Sequence, residues 1–137
     1  MKAFLLWLVF AVIGFGGLAG GYDGYLRDNP RRIAVIVDTS YDMAAVWPRV
    51  EPKLVEIGAA RYSDFSLITD KRLIHGWQPQ LRVSLAEPYG PRDFGKLKEL
   101  RTAAPEIAEA ETVYFLTNAP ASEIAAFTGW QVIPLSH

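Results

Sequence analysis

The sequence predicts an α/β domain with a mostly parallel central sheet, one antiparallel edge strand and helices on both faces, preceded by one transmembrane helix. Two apolar runs of strand-forming residues, IAVIV at 33–37 and TVYFLT at 112–117, are typical of buried parallel strands. A strand pair with a tight turn at Asp70-Lys71 predicts the antiparallel edge. Segments with helical apolar spacing separate these strands, which is the layout of an α/β fold.

The first segment is an uncharged, apolar run of 20 residues from Ala3 to Tyr22, which as a helix is about 30 Å long and spans a bilayer. We divide the chain into an anchor or uncleaved signal (1–24), a polar tether (25–32) with a turn at 28–30, and a domain (33–137). The small residues at 17–19 also fit a signal-peptide cleavage site. We favour a retained anchor, and therefore a single-pass protein, because the apolar core is longer than a signal peptide needs.

The charges at the two ends of the anchor bear on its orientation. Lys2 precedes the apolar run and Arg27, Arg31 and Arg32 follow it, which favours a cytoplasmic domain by the positive-inside rule. A very short tail before an apolar helix is also typical of an export signal-anchor, and a lack of cysteine suits an envelope compartment. We expect a bacterial-type inner (cytoplasmic) membrane with the domain on the periplasmic side.

Glycines in the anchor recur at Gly16, Gly20 and Gly24, a spacing that lets another helix approach closely. This spacing predicts a partner helix in the membrane. The simpler interpretation, which we weigh above it, is that glycine is common near the end of an anchor and that a flexible linker begins at Gly20.

The residues after the first strand predict a helix, a strand pair and a long connection. Segment 44–60 has apolar residues on one helical face, and Pro48 and Pro52 place the start of the regular helix near Val50. YSDFSLIT at 62–69 predicts a strand, and RLIHGW at 72–77 predicts the antiparallel edge. Gln78 to Asp93 contains three prolines and predicts a long connection, in which LRVSLA forms a short helix or strand.

The last third of the chain predicts two helices and two strands. Phe94 to Ala110 has helical spacing with a break or kink at Pro105, and Asp93 is its expected N-cap. After the TVYFLT strand, Ser122 is expected to cap a short helix that runs to Phe127 and ends at Gly129. WQVIPL predicts the last strand.

The charge and composition of the part after the anchor exclude some functions. From Ile33 onward there are 10 Lys and Arg against 13 Asp and Glu, a net of −3, with no basic cluster. We therefore expect no nucleic-acid partner. The lack of cysteine excludes disulfides, thiol catalysis and cysteine-based zinc sites.

Two motifs at strand ends together resemble the von Willebrand factor A (VWA) family, whose domains open with a strand ending in Asp-x-Ser-x-Ser and later carry Leu-Thr-Asp-Gly. Here VDTSYDM covers 37–43 and FLTNAP covers 115–120. The hairpin FSLITDKRLIHGW is similar to the second and third strands of that family. The resemblance covers about 32–135 and implies a VWA/Rossmann-like fold with a functional edge at the carboxyl ends of the strands.

The resemblance also implies a candidate metal site, because the family holds magnesium with these loops. Asp38 and Ser40 match, Asp42 replaces the second serine, and Asn118 replaces the aspartate. The family's threonine has no counterpart, since 71–101 contains no Thr. Such oxygen ligands suit a hard cation. We expect no cofactor, with Mg²⁺ or another divalent cation as the alternative, because the threonine ligand is lost and Asn118 replaces a carboxylate.

Two other interpretations of Asp38 stay open at this point. Asp38 and Ser40 can cap the following turn through backbone N–H groups. Alternatively, the strand followed by Asp-Thr-Ser resembles PIN-type nucleases, in which Asp38, Glu56 and Asp70 would hold catalytic metal ions for hydrolysis. The acidic domain and the strand pair after its first helix argue against that nuclease.

The function we expect is non-catalytic protein binding by a membrane-anchored accessory or assembly subunit of a larger membrane complex. The alternative is a metal-dependent adhesion module or a PIN-like metal-dependent hydrolase that uses the Asp38 loop. Its partners would be membrane proteins and the lipid bilayer. The expected contacts are the anchor glycines and the domain loops, the latter with Asp38, Ser40, Tyr41 and Asn118. The connection 78–93 would add polar contact surface.

Overall fold

The structure is a computed structural model that describes residues 1–82 and 87–136, and the chain divides into two compact units after Pro30. The first unit contains helix α1 (Lys2–Asp28). The second contains β1 (Arg31–Val37), α2 (Val50–Gly58), β2 (Ser63–Thr69), β3 (Leu73–Gln78), α3 (Phe94–Ala103), α4 (Pro105–Glu109), β4 (Thr112–Thr117), α5 (Ala121–Ile124) and β5 (Gln131–Pro134).

Helix α1 has 27 residues, about 40 Å of helix, and is the one helix in the described residues long and apolar enough to cross a membrane. It continues beyond the expected anchor boundary at residue 24 and takes up half of the predicted tether. The flexible linker that we considered from Gly20 is therefore wrong. An ion pair between Asp23 and Arg27, at 2.9 Å and four residues apart, supports the last turns. Asn29 ends the helix with a backbone bond to Tyr25.

The second unit is built on a five-stranded mixed sheet with the order β3-β2-β1-β4-β5. Strand β1 lies at the centre and pairs in parallel with β2 and β4. Strand β5 pairs in parallel with β4, whereas β3 pairs antiparallel with β2 at the other edge. The α/β class, the mostly parallel sheet and the antiparallel edge are therefore confirmed. The chain leaves β1 and β4 toward opposite edges, which makes the gap between these strands a topological switch point.

Helices cover both faces of the sheet, and strand β1 is therefore buried on both sides. Ile33, Val35 and Val37 pack with α2 in one apolar cluster. Ala34 and Ile36 point to the other face and pack with α3 and α4 in a second cluster. Phe94, Phe115, Phe127 and Trp130 add edge-on and stacked ring contacts to the second cluster.

Most of the local predictions are confirmed, but those for the last short helix are wrong, since α5 ends at Ile124 and does not reach Phe127. Two short 3₁₀ turns precede α2, so its regular helix begins at Val50 as the prolines predict. Asp93 caps α3 by accepting a bond of 2.9 Å from Gly95 N, and Pro105 separates α3 from α4. Ser122 is not a cap, because Pro120 precedes the one-turn α5 and Ser122 lies inside it.

The long connection 78–93 contains no helix or strand beyond Gln78 among its described residues. The short helix or strand predicted for LRVSLA falls mostly on 83–86, outside the described residues. The part of this connection after residue 86 turns out to be central to the candidate site.

Candidate functional site

Asp38 is the first residue after the central strand, and its carboxylate is fully buried. One carboxylate oxygen, Oδ1, accepts a bond of 2.9 Å from Ser40 N, which is the turn-capping contact that we considered. The other oxygen, Oδ2, accepts bonds of 2.8 Å from Thr117 Oγ1 and 3.0 Å from Arg92 Nε. Asp38 therefore ties the end of β1 to the end of β4 and to the connection that precedes α3.

Arg92 links the loops at this edge of the sheet. Its Nη2 donates to Asn118 Oδ1, and its Nη1 lies 3.8 Å from a carboxylate oxygen of Asp42 and 3.7 Å from one of Glu123. The guanidinium stacks over the Phe94 ring at 5.7 Å, and only 12% of the side chain is exposed. The guanidinium therefore hydrogen-bonds to Asp38 and Asn118 and lies within ion-pair distance of Asp42 and Glu123.

The four residues predicted as metal ligands are held together in the structure. Asn118 Nδ2 donates a bond of 2.7 Å to the Asp42 carbonyl, and Asp38 bonds to Ser40 N. Ser40 Oγ is buried and has no hydrogen-bond partner among the described residues. Arg92 is close to oxygens of three of the four residues, Asp38, Asp42 and Asn118, but not to Ser40 Oγ.

A divalent cation does not fit this arrangement while Arg92 stays in place. The unpartnered Ser40 hydroxyl and the surrounding oxygens are the donor types that Mg²⁺ prefers. However, an ion on Asp38 Oδ2 would face the guanidinium that already contacts that oxygen at 3.0 Å. Two cations at such a distance repel each other, and this buried site offers little solvent to screen them.

A second buried aspartate, Asp70, follows the neighbouring strand β2. Its Oδ1 accepts bonds from Thr39 N at 3.0 Å and Thr39 Oγ1 at 2.7 Å, and Lys71 Nζ lies 3.1 Å from Oδ2. Glu56, the third carboxylate of the nuclease interpretation, is instead exposed on α2 and pairs with Lys53 at 3.2 Å. The described residues contain no group of three acidic, histidine or cysteine side chains that could hold a metal ion.

Residues 87–93, the edge loop, lie against the loop that follows β1. Tyr89 N donates to Thr39 O at 2.8 Å, and Tyr41 N donates to Gly90 O at 2.9 Å. Gly90 has φ +75°, a conformation that favours glycine, and Lys71 Nζ lies 4.6 Å from the centre of the Tyr89 ring. The edge loop is therefore held by backbone bonds as well as by Arg92.

An open cleft of about 700 Å³ lies beside these loops, next to the switch point. Its lining includes Tyr41, Asp42, Arg92, Lys98, Ser122 and Glu123. Tyr41 is 66% exposed, whereas Asp38 and Ser40 are fully buried. Of the residues predicted to contact a partner, Asp38 and Ser40 therefore lie beneath the surface, Asn118 is half-buried, and Tyr41 is open to solvent.

The anchor glycines lie on an open surface within their own unit. A Cβ atom placed on Gly16, Gly20 or Gly24 would meet no atom within 4 Å. The close approach of another helix is therefore sterically possible, and the partner helix stays a prediction.

Sequence reasoning missed Arg92, Thr117 and the pair of Asp70 with Lys71. Thr117 had a usable signal, since it ends a buried strand beside the predicted Asn118. Asp70 had the same signal at the end of β2, but it was considered only as part of a turn and as a metal ligand of a nuclease, and not as the partner of Lys71. Arg92 had none, because it lies in a connection without periodic spacing and pairs with a residue 54 positions away.

Comparisons of the chain with family models, curated proteins and solved structures give no match. The resemblance to the VWA family therefore stays a prediction that rests on the two motifs and the strand pair.

Proposed function

We propose that this chain is a membrane-anchored, non-catalytic protein-binding module that serves as an accessory or assembly subunit of a larger membrane complex. The observation that carries the proposal is the edge formed by the β1 loop and the edge loop. This edge presents Tyr41 beside an open cleft while its buried charges are internally paired.

The exposed tyrosines support protein binding. Among the described residues of the second unit, the exposed large hydrophobic side chains are Tyr41, Val55, Leu73 and Tyr89. Tyr41 and Tyr89 lie on loops that are hydrogen-bonded to each other, and these loops lie next to a cleft whose lining includes Arg92. Tyrosine and arginine are enriched at the energetic centres of protein interfaces. Because backbone bonds hold both loops, a partner would spend little free energy on ordering them.

The state of the buried carboxylates supports a role without catalysis. A general base or nucleophile needs a free carboxylate close to its substrate. Asp38 and Asp70 are both fully buried, and each has its own cation and hydroxyl donor. Neither is available to a substrate in the cleft.

The apolar helix α1 supports membrane anchoring. Tyr22 is the last residue of the apolar run and Tyr25 follows it, a position where aromatic side chains commonly lie at the membrane–water interface. We place the anchor in a bacterial-type inner membrane with the second unit on the periplasmic side. Intact mass of the chain purified from membranes tests retention, since loss of about the first 19 residues would show cleavage and contradict the anchor.

Site-specific photo-crosslinking tests the partner. A photoreactive phenylalanine analogue at Tyr41 is expected to give one discrete crosslinked product in intact membranes. The same analogue at Val55, which is 56% exposed on α2, serves as the matched control and should give none.

Stoichiometry completes the test. Gentle detergent extraction followed by native mass spectrometry should find the crosslinked protein in a fixed ratio to the chain. The variant Tyr41→Ala should lower that ratio without unfolding the domain, because an exposed side chain contributes little to stability. A clean monomer, or equal crosslinking from Tyr41 and Val55, would contradict the proposal.

A further inference from the structure

We infer that Arg92 takes the place of a divalent cation, so that the loops at the carboxyl edge are organised by a guanidinium and need no metal. The inference concerns how these loops are held. It goes beyond partner binding and does not depend on it.

The contacts of Arg92 are those that a cation at this edge would make. Nε bonds to Asp38, Nη2 bonds to Asn118, and Nη1 lies 3.8 Å from the Asp42 carboxylate. These three residues come from two separate loops, after β1 and after β4, and Arg92 itself comes from a third. A metal ion would cross-link loops in the same way, by collecting oxygens from each.

The charges favour one positive group at this position. The Asp38 carboxylate is fully buried, and a buried charge must be paired. Arg92 supplies that charge from a side chain that is itself only 12% exposed.

Ser40 is the one predicted ligand for which the structure shows neither a hydrogen bond nor an ion pair with Arg92. Its Oγ is buried and has no partner among the described residues. A guanidinium is planar and cannot reach every oxygen around it, whereas a metal ion binds ligands in three dimensions. Without Arg92, the carboxylates of Asp38 and Asp42, the amide oxygen of Asn118 and the Ser40 hydroxyl would form an oxygen-only set suited to Mn²⁺ or Mg²⁺.

The test is Mn²⁺ binding, followed by electron paramagnetic resonance, to the full-length chain in mild detergent. The wild-type chain should show no Asp38-dependent binding at millimolar Mn²⁺. Arg92→Ala should gain one bound Mn²⁺ per chain, with a higher Tm when the ion is present. The double variant Arg92→Ala with Asp38→Asn should lose this binding.

Lys71→Ala is the matched control. It removes the cation from the neighbouring buried Asp70, whose remaining bonds come from Thr39. The carboxylate of Asp70 is bonded to Thr39 and Lys71 and to none of the predicted metal ligands, so Lys71→Ala should gain no Mn²⁺. A gain equal to that of Arg92→Ala would overturn the inference, because any unpaired buried aspartate would then suffice.

Three further results would overturn it. Wild-type chain that binds Mn²⁺ in an Asp38-dependent way would show that the arginine does not replace the ion. If the folded Arg92→Ala variant binds no Mn²⁺, the four predicted ligands do not form a metal site. If Arg92→Ala is unfolded without metal, recovery of its circular dichroism spectrum in Mn²⁺ is the expected result, and failure to recover counts against the inference.

Discussion

Two buried aspartates follow adjacent parallel strands in this molecule. The basic residue that pairs with each of them lies at a very different separation along the sequence. Asp70 is paired with Lys71, its immediate neighbour, and with Thr39 across the sheet edge. Asp38 is paired with Arg92, 54 residues later, and that arginine also reaches Asn118. The first ion pair fixes a turn, whereas the second joins three loops. The comparison teaches that similar buried charges can differ widely in how much structure depends on them.

The largest effect is expected for Arg92→Ala. It leaves Asp38 charged and buried, so the free energy of unfolding should fall by about 3–5 kcal/mol. Urea unfolding of the full-length chain in detergent, followed by circular dichroism, measures the change. A loss below about 1 kcal/mol would place this pair with ordinary surface salt bridges.

A double variant tests whether the unpaired charge causes that loss. Combining Asp38→Asn with Arg92→Gln removes both charges, so that no unpaired charge is left buried at this position. We expect the double variant to be more stable than the sum of the two single changes predicts, since the residues are in direct contact. Strict additivity would show that the two residues act independently.

A smaller effect is expected for Lys71→Ala. Asp70 keeps both bonds from Thr39, and Lys71 itself is 17% exposed. Lys71 Nζ donates to both Asp70 carboxylate oxygens and to Thr39 Oγ1, and the free energy of unfolding should fall by about 2 kcal/mol when these bonds to a charged group are lost. The same urea experiment ranks it against Arg92→Ala, and an equal or larger loss would reverse our comparison of the two aspartates.

The smallest effect is expected for Lys53→Ala, which removes an exposed pair on α2. Lys53 and Glu56 lie 3.2 Å apart with side chains that are 44% and 72% exposed. Exposed pairs three residues apart on a helix contribute at most about 0.5 kcal/mol. If urea unfolding shows that the free energy of unfolding falls by more than about 1 kcal/mol, solvent exposure does not determine how much these ion pairs stabilise the domain.

Local chemistry made much of the fold predictable from the sequence. The kink at Pro105 follows from a missing N–H, and the cap at Asp93 follows from a side chain that reaches its own helix. Ser122 failed as a cap because α5 begins at Ala121, two residues before a cap at Ser122 would allow, with Pro120 in the capping position at φ −66°. Such competition within one turn is decided by differences of only about 1 kcal/mol.

The end of α1 and the role of Arg92 were not predictable in the same way. Glycine costs a helix only about 1 kcal/mol per residue, so the glycines in α1 indicate a linker weakly and do not force one. The position of Asp38 and Asn118 at one edge followed from parallel strands. The cation between them came from a loop whose course depends on long-range contacts, and no sequence period reports such contacts.

The two outer strands of the sheet differ from its regular centre. The pairing of β3 with β2 shifts register twice, between Phe65 and Ile68. Strand β5 has four residues and ends at Pro134. The N–H of the next residue, Leu135, points toward β4 and donates to Thr117 O. Because successive residues of a strand alternate in direction, the nitrogen of Pro134 points to the open edge, where it has no N–H to offer another strand. Both irregularities discourage the addition of another strand. Copies of the domain at high local concentration are therefore expected to resist edge-to-edge aggregation of their sheets.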